Sequence, residues 1–207
     1  MQEHDEDIHI YILRHGETDW NKNHWFQGQV NTSLNEEGRK EARQAEAWFR
    51  RQKIVFDCVY SSPIARAMET VEIVTGLRQE QIIQDKRLME MKFGILDGTP
   101  FDTSSPLSRV FFEDPIHYIP PENAESFADV DKRVRSFFED LRKKKPGKSI
   151  LIGSHGCCMR RMMVCLGALK EEEIWQQKIT NCTVVSVVLN DINGYQVVGV
   201  EETSKEA

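Results

Sequence analysis

The sequence predicts an α/β fold in which helices cover both faces of a mostly parallel sheet. Short runs rich in β-branched and aromatic side chains alternate with segments whose apolar residues recur at helical spacing. The last two of these runs flank Asn193 and Gly194, a dipeptide that favours a tight hairpin. Because strands that alternate with helices form parallel sheets, we expect a parallel sheet that ends in an antiparallel C-terminal strand.

Size and composition predict one folded domain over residues 1–207. The chain has 207 residues, of which 40% are hydrophobic and 29% charged, and this ordinary globular usage excludes a disordered or fibrous protein. Its formal net charge of −6 provides no positive field for nucleic acid or for anionic lipid. We therefore expect no nucleic-acid partner.

The compartment is predicted from the amino terminus and the cysteines. The first residues are acidic, and the apolar run over residues 8–13 is too short for a secretion signal. No apolar run reaches the roughly 18 residues that a membrane-spanning helix needs. The five cysteines are an odd number without a disulfide-framework spacing, which is typical of reduced thiols. We expect a cytoplasmic protein without a membrane partner.

The first strand and helix are predicted within residues 8–51. Residues 8–13 form a short apolar run that stops at polar residues, as a buried strand does. A polar loop with tryptophan follows. Either Ser33 or Asn35 is suited to cap the next helix, which continues to about Arg51 with alanine and aromatic side chains on one face.

A second strand and helix follow directly. Residues 55–60 have the composition of a strand. Ser62 is interpreted as an N-cap and Pro63 as a first-turn residue of a helix that continues to about Val74. Strand, turn and helix thus occur twice in succession, as in a parallel α/β sheet.

Regular periodicity fails between residues 94 and 125. Five prolines interrupt this segment and aromatic residues are interspersed among them, which leaves room for one short helix. We interpret residues 99–124 as a lid-like excursion. Its aromatic side chains, together with Arg109 and His117, are expected to select the substrate.

The most regular helix is predicted over residues 126–145. Ser126 is suited to cap it, one face is apolar, and the basic residues at its end suit a helix C-terminus. Asp129 and Asp131 fall in the polar part of this helix. We therefore interpret them as solvated residues and not as a metal-dependent phosphotransfer pair.

The remaining elements are one strand, one helix and a hairpin. Residues 149–152 have strand composition, and the polar residues 153–156 lead into a methionine-rich helix. Residues 183–189 and 195–200 are the two strands of the predicted hairpin. No internal repeat or linker divides the chain.

Three polar side chains fall where predicted strands end or helices begin. His15 follows the first strand, Arg66 lies in the first turn of the helix after the second strand, and His155 follows residues 149–152. Parallel α/β sheets bind ligands beyond the carboxyl ends of their strands. We therefore expect these three side chains to share one edge of the sheet.

These residue types are suited to bind a small dianion. Guanidinium groups and helix N-termini bind phosphate oxygens through charge-assisted hydrogen bonds, and Arg14 adds a second guanidinium beside His15. An imidazole attacks phosphorus only when it is neutral with one nitrogen free. We therefore expect nearby backbone to hold the other N–H of His15. Arg14 and Arg66 should lower the pKa of His15 and favour its neutral form.

Several short motifs occur in a fixed order along nearly the whole chain. The first is Arg-His-Gly-Glu-Thr at residues 14–18. The others are Asn21, Gln27-Gly28, Leu34, Gly38, Ser61-Ser62-Pro63 with Arg66-Ala67 and Thr70, Leu88 with Glu90, Gly94, Gly98, and His155-Gly156 with Arg160. Together they resemble the histidine phosphatase superfamily, in its phosphoglycerate-mutase-like branch. The resemblance implies a three-layer α/β/α sandwich.

The resemblance also implies roles for the site residues. His15 would be the nucleophile that forms a phosphohistidine, and Glu90 would be the proton donor to the leaving group. The phosphate pocket would consist of Arg14, Arg66 and His155. The further phosphate or substrate contacts would be Asn21, Gln27, Gly28 and Gly156. Neither a metal ion nor a cofactor is implied.

Three functions are consistent with these residues. A phosphomonoesterase transfers the phosphoryl group to water, whereas a mutase returns it to a bound sugar-acid phosphate. Mutases of this family generally carry a longer and more basic insertion than residues 98–125, which hold one arginine and no lysine, so hydrolysis is favoured. A non-catalytic phospho-ligand-binding module is disfavoured because nucleophile, arginines and acid are all present.

The expected partner is a small phosphorylated metabolite. The resemblance leaves its identity open among sugar phosphates, phosphoglycerates, phosphoserine and related esters. The sequence allows a homodimer without determining the oligomeric state.

Cys157 and Cys158 occupy positions that are more often small or apolar in the family. These thiols suggest sensitivity to oxidation.

Overall fold

The computed structural model describes residues 7–205, which contain a six-stranded sheet. In chain order the strands are β1 (Ile8–Arg14), β2 (Cys58–Ser61), β3 (Ile83–Gln84), β4 (Ser149–Ser154), β5 (Thr183–Asn190) and β6 (Gly194–Glu202). Their order across the sheet is β3-β2-β4-β1-β5-β6. The first four strands are mutually parallel, and β5 is antiparallel to both β1 and β6. The sheet is mostly parallel with antiparallel C-terminal pairing, as predicted.

Helices lie on both faces of this sheet. Within the described residues they are α1 (Asp19–Lys22), α2 (Glu36–Arg51), α3 (Ala65–Thr75), α4 (Pro106–Glu113), α5 (Phe127–Lys144) and α6 (Gly156–Cys165). Apolar residues of α2 and α3 share one core, and those of α5 and α6 share the other. None of the helices in the described part of the chain has both the length and the apolar character needed to cross a membrane.

The central strands supply both cores because successive strand residues point to opposite faces. On β4, Ile150 and Ile152 join the core of α5 and α6, whereas Leu151 joins the core of α2 and α3. On β1, Ile12 and Leu13 divide in the same way. This alternation confirms the three-layer α/β/α arrangement.

The register of the parallel strands brings their carboxyl ends level with each other. On β1, Arg14 lies opposite Ser154 of β4, and Ser61 of β2 lies opposite Gly153. The residues that follow these strand ends therefore meet at one edge of the sheet. This edge holds His15 and His155.

Helices α2 and α3 begin at different kinds of cap. Asn35 caps α2, since its side-chain oxygen accepts a hydrogen bond of 2.8 Å from the Gly38 N–H; of the two residues predicted for this position, Asn35 is therefore the cap. The prediction that Ser62 caps α3 is wrong. The N-cap is Ile64, the helix begins at Ala65, and the Ser62 hydroxyl contacts a histidine instead.

Strands β2 and β3 also differ from the prediction. Residues 55–57 do not belong to β2, because its partner β4 begins at Ser149 and pairs with β2 from Cys58 onward. Val55 is accordingly 79% exposed. The two-residue strand β3 was not predicted, because so short a segment carries no periodic signal.

The long helix α5 begins at a reciprocal cap. Ser126 and Asp129 exchange hydrogen bonds between side chain and backbone there. The interpretation of Asp131 as a solvated residue is wrong. Its carboxylate lies 2.7 Å from the guanidinium of Arg161, whose side chain is 2% exposed, because a buried cation needs a nearby anion. Asp131 therefore links α5 to α6.

The proline-rich segment contains α4 and a 3₁₀ turn at Pro115–His117. Phe111 of α4 is buried in the same core as α5 and α6. The carboxyl edge of the sheet is tied to this segment by backbone hydrogen bonds between Phe26 and residues 98 and 99, of 2.9 and 2.8 Å. The predicted excursion over residues 99–124 is therefore packed on the body of the protein.

Candidate active site

His15 follows β1 and has only 3% of its surface exposed. Its Nδ1–H donates a hydrogen bond of 2.7 Å to the carbonyl oxygen of Gly16, which can only accept. Arg66 donates from Nε to His15 Nε2 at 3.2 Å. Burial, and then the charges of Arg66 and Arg14, lower the pKa of His15 well below its ordinary value. The ring is therefore neutral, and Nε2 carries its lone pair.

The loop around His15 is held by close packing and by hydrogen bonds. The Gly16 N–H donates to the Thr70 hydroxyl at 3.0 Å, and the Asn181 amide donates to the His15 carbonyl at 3.0 Å. A Cβ atom on Gly16 would lie 2.3 Å from the Gly38 carbonyl oxygen. Glycine at this position therefore lets the loop approach α2 closely.

His155 follows β4 and is fully buried. Its ring centre lies 5.1 Å from that of His15. The Ser62 hydroxyl and His155 Nε2 are 2.7 Å apart, whereas within the described residues His155 Nδ1 is buried without a hydrogen-bond partner. Burial, followed by the charge of Arg66, lowers the pKa of His155 well below its ordinary value.

Arg66 lies in the first turn of α3 and is fully buried. Besides contacting His15, it donates to the carbonyl oxygens of Gly28 at 2.7 Å and Val30 at 2.8 Å. Burial lowers its pKa to about 10. Arg66 therefore connects the histidine to the loop that follows α1.

Arg14 is the second guanidinium beside His15. It donates from Nη1 to the carbonyl oxygen of Ile179 at 2.8 Å, and burial lowers its pKa. Among the described residues, its Nε is buried without a hydrogen-bond partner. A Cβ atom on Gly156 would lie 3.3 Å from this Nε, so glycine leaves room for the guanidinium against the start of α6.

Glu90 is buried at the N-terminus of α6. Its carboxylate accepts hydrogen bonds from the backbone N–H groups of Met91 at 2.8 Å, Cys157 at 3.0 Å and Cys158 at 2.9 Å. The last two N–H groups belong to the first turn of α6, where backbone donors have no partner within the helix. These bonds fix the carboxylate beside the cavity that contains His15.

The polar residues of the loop after β1 have different surroundings. The Asn21 side-chain oxygen accepts hydrogen bonds from Thr18 and Asn181, so its amide nitrogen is left to donate to a ligand. The Gln27 side chain bonds to the hydroxyl groups of Thr18 and Thr32. Both Asn21 and Gln27 line the cavity.

Gly28 is not among the residues that line the cavity, and it allows close packing. Its N–H donates to the Asp97 carboxylate at 2.6 Å, and a Cβ atom there would lie 2.8 Å from the Met91 carbonyl oxygen. The geometry therefore gives Gly28 a packing role, and the ligand contact that the resemblance implies for it stays a prediction.

A cavity of about 200 Å³ opens beside His15. The predicted site residues that line it are Arg14, His15, Asn21, Gln27, Glu90 and Gly156. Arg66 and His155 do not line the cavity; Arg66 is hydrogen-bonded to His15, and His155 lies beside it. The rest of the wall is mostly aromatic, and no group of three or more metal-ligating side chains is found in residues 7–205.

The excursion contributes aromatic rings to this wall but neither Arg109 nor His117, which were predicted to help select the substrate. Phe101, Phe111 and Phe112 line the cavity, whereas Arg109 and His117 do not. Arg109 is exposed, and the His117 side chain is 76% exposed beside Asp114. The expectation that Arg109 and His117 face the substrate is therefore corrected.

The site also contains residues whose roles were not predicted. Ser62 was assigned to a helix cap, and nothing in its local sequence indicates a contact with a histidine 93 residues away. Asn181, which holds both the His15 carbonyl and Asn21, lies in a segment without a recognisable motif. Such contacts depend on the register of the sheet.

The thiols beside Glu90 are buried. Burial raises the pKa of Cys157 well above its ordinary value and also raises that of Cys158. The thiolate is the form that oxidants attack. The geometry therefore does not favour the predicted sensitivity to oxidation.

Comparison with known proteins identifies the family. The model of the histidine phosphatase superfamily (branch 1) matches residues 10–203. The chain therefore belongs to this superfamily. Its relatives include phosphatases and phosphoglycerate mutases, so it is an enzyme of this phosphatase and mutase group.

Three of the matches illustrate how similar the chain is to known proteins. A 2,3-bisphosphoglycerate-dependent phosphoglycerate mutase from Parvibaculum lavamentivorans is 31% identical over 196 residues, covering 89% of this chain and 92% of that protein. A putative phosphoserine phosphatase 2 from Hydrogenobacter thermophilus is 29% identical, covering 86% and 88%. The structure of Bacillus stearothermophilus YhfR has a TM-score of 0.84 and 26% identity, covering 95% of this chain and 99% of that one.

Proposed function

We propose that this protein is a metal-independent phosphomonoesterase that acts through a phosphohistidine at His15. The observation that carries the proposal is a neutral, buried imidazole at His15 in a site where Arg14 Nε and His155 Nδ1 have no hydrogen-bond partner among the described residues. A buried donor without a partner costs about 1–3 kcal/mol. An anion beside His15 would accept from Arg14 Nε, and also from His155 Nδ1 when that nitrogen carries the ring proton.

In the first step, His15 Nε2 attacks the phosphorus of the ester. The N–P bond forms as the P–O bond to the leaving group breaks, and Glu90, which takes up a proton from solvent before this step, gives it to the departing oxygen. For this attack, the Nε–H of Arg66 must turn from His15 Nε2 to a phosphate oxygen. That exchange frees the lone pair of His15 and places a second guanidinium on the charge of the transition state.

In the second step, water attacks the phosphohistidine. Glu90, now a carboxylate, takes the proton from water as the new P–O bond forms and the N–P bond breaks. Inorganic phosphate then leaves, and the neutral imidazole is restored. The backbone donors that hold Glu90 keep the same carboxyl group in place for both steps.

A mutase is the second candidate, because a relative at 31% identity is named as a phosphoglycerate mutase. A mutase must hold a sugar-acid phosphate while the phosphoryl group resides on histidine. Among the described residues that line the cavity, the cations are Arg14 and Arg160. Arg160 already donates to the carbonyl oxygens of Gly156, at 3.0 Å, and Ile174, at 2.9 Å. Because Arg160 already makes these hydrogen bonds, it is not placed to hold a sugar acid. This arrangement favours release of the alcohol, followed by attack of water on the phosphohistidine.

The proposal is tested by the hydrolysis of p-nitrophenyl phosphate in the presence of a chelator. We expect full activity with the chelator and a loss of about 10³-fold or more in His15→Ala, because that variant cannot form the covalent intermediate. Activity that requires added metal would contradict the metal-independent mechanism. Interconversion of phosphoglycerates that depends on a bisphosphoglycerate primer, faster than hydrolysis, would select the mutase.

A further inference from the structure

We infer that the substrate is a phosphomonoester whose alcohol carries a flat, uncharged aromatic ring. The inference rests on the proposed function, because it assigns the part of the cavity that receives the leaving group. Arg14 and His15 mark the phosphate end of the cavity, and aromatic side chains surround the remainder.

The aromatic wall is built from several elements that contact one another. Phe101 from the excursion packs edge-on against Phe26, with ring centres 4.7 Å apart, and lies 5.4 Å from Phe112 of α4. The Phe112 ring lies 5.2 Å from Trp175, which also contacts Phe111 at 4.7 Å. Such a network of edge-to-face and tilted contacts offers ring faces and edges to a further aromatic ring.

Two rings of the wall remain exposed to solvent. Phe101 is 43% exposed and Trp25 is 37% exposed, although both line the cavity. Exposed apolar surface beside a cavity marks a binding site, because a ligand would remove it from water. An apolar ligand group would cover these two rings.

The hydrogen bonds of the two arginines that line the cavity favour an uncharged leaving group. Arg160 donates from Nε, Nη1 and Nη2 to three backbone carbonyl oxygens, and its guanidinium lies 5.1 Å from the Trp175 ring. Arg14 is committed to the phosphate end of the cavity in the proposed mechanism. A carboxylate on the alcohol would therefore enter a largely aromatic space without a dedicated cation, and its desolvation would oppose binding.

The size of the cavity limits the leaving group. Its volume is about 200 Å³, below the range of roughly 300–1,000 Å³ that is common for drug-sized ligands. An apolar cavity of about 150 Å³ is known to accept benzene. The cavity therefore accommodates a phosphate at His15 together with one six-membered ring, which stays partly exposed beside Phe101 and Trp25.

Matched substrates test this inference. Benzyl phosphate, O-phosphoserine and 3-phosphoglycerate all release a primary alcohol, so their comparison isolates binding of the leaving group. We expect kcat/KM for benzyl phosphate to exceed both others by about tenfold or more, the size of an aromatic contact. Equal or higher values for O-phosphoserine or 3-phosphoglycerate would overturn the inference.

A variant pair identifies the surface responsible. Phe101→Ala should lower the ratio of kcat/KM for benzyl phosphate to that for ethyl phosphate by about tenfold, mainly through KM. Ile119→Ala is the control, because Ile119 lies in the same excursion, is 78% exposed and does not line the cavity. An unchanged ratio in Phe101→Ala, or an equal decrease in the control, would show that the ring does not recognise the alcohol.

A binding measurement separates this inference from the proposed function. If none of the esters is hydrolysed, the proposed function fails. Calorimetric titration of His15→Ala, which retains the aromatic wall, then compares benzyl phosphate with O-phosphoserine directly. Tighter binding of benzyl phosphate supports the inference, and equal or weaker binding overturns it.

Discussion

The imidazole rings of His15 and His155 are buried side by side, with two guanidinium groups near them. In these surroundings the neutral form of each ring is favoured over the charged form. Burial and the arginine charges lower the pKa of His15 and of His155 well below 6.5. At a phosphate site this combination has a chemical use. In the proposed mechanism, the cations that attract the substrate would also keep the nucleophile His15 in the form that can attack.

The neutral rings predict how stability depends on pH. Below pH 6.5 the unfolded chain binds protons at these positions while the folded rings stay neutral, so the free energy of unfolding decreases as pH falls from 6.5. Each ring contributes a slope approaching about 1.4 kcal/mol per pH unit. In urea unfolding between pH 7.5 and 5, His15→Gln should reduce the slope by about this amount. An unchanged slope would mean that His15 is not held neutral.

Replacement of Ser62 is a second test of the candidate site. If its hydroxyl donates to His155 Nε2, the proton of His155 lies on Nδ1, where it can donate to a phosphate oxygen. Ser62→Ala should therefore lower kcat/KM about tenfold, the equivalent of one hydrogen bond, and weaken inhibition by inorganic phosphate to the same extent.

The neighbouring serine provides the control for Ser62. Ser61 is also buried, but its hydroxyl donates to the backbone carbonyl of Ser62 at 2.9 Å. Ser61→Ala should change stability without changing inhibition by phosphate. The assignment of Ser62 would fail if the two variants had the same effect on phosphate binding.

At the scale of the elements, the start of α6 determines where the acid lies. Glu90 precedes this helix by more than 60 residues, yet its carboxylate occupies the N–H groups of the first turn of α6. A helix N-terminus favours an anionic or accepting group at this position. The helix thus orients the residue that we propose as proton donor.

Replacement of this carboxyl group affects both stability and turnover. Glu90→Gln turns an amide donor toward a backbone N–H, which should lower the free energy of unfolding by about 1–3 kcal/mol. Loss of the proton donor should lower kcat for benzyl phosphate by about 10²–10⁴, and less for p-nitrophenyl phosphate, whose leaving group needs little protonation. Equal losses for the two esters would contradict the role of Glu90 in proton transfer.

A helix or strand can be predicted from the sequence when its own residues carry a clear local signal. Helix α5 has a cap, an apolar face and a basic end, and the sequence places it within a residue of its observed bounds. In contrast, the capping pattern at Ser62 and Pro63 is misleading, because the Ser62 side chain is used for a contact between β2 and the end of β4. Local patterns do not include such long-range contacts.

At the scale of the whole molecule, the parallel register brings the site together. The strand ends of β1, β2 and β4 come from three distant parts of the chain, and the sequence predicts their shared edge from the alternation of strands and helices. The cavity wall could not be predicted in the same way. The orientation of Phe101, Phe111 and Phe112 depends on how the excursion packs against the core.

The extent of the domain and the compartment stay predictions. In the described residues the two cores lie against one six-stranded sheet, and the single domain over residues 1–207 stays an expectation. All five cysteines are free thiols in the structure.

The central claim is that His15 carries the phosphoryl group during turnover, and trapping the intermediate tests it most directly. The enzyme is mixed with a radiolabelled phosphomonoester, quenched rapidly in base, and digested to locate the label. We expect a base-stable, acid-labile label on the peptide that contains His15, and none in His15→Ala. Turnover by the wild-type protein without any label, or with the label on another residue, would contradict the account.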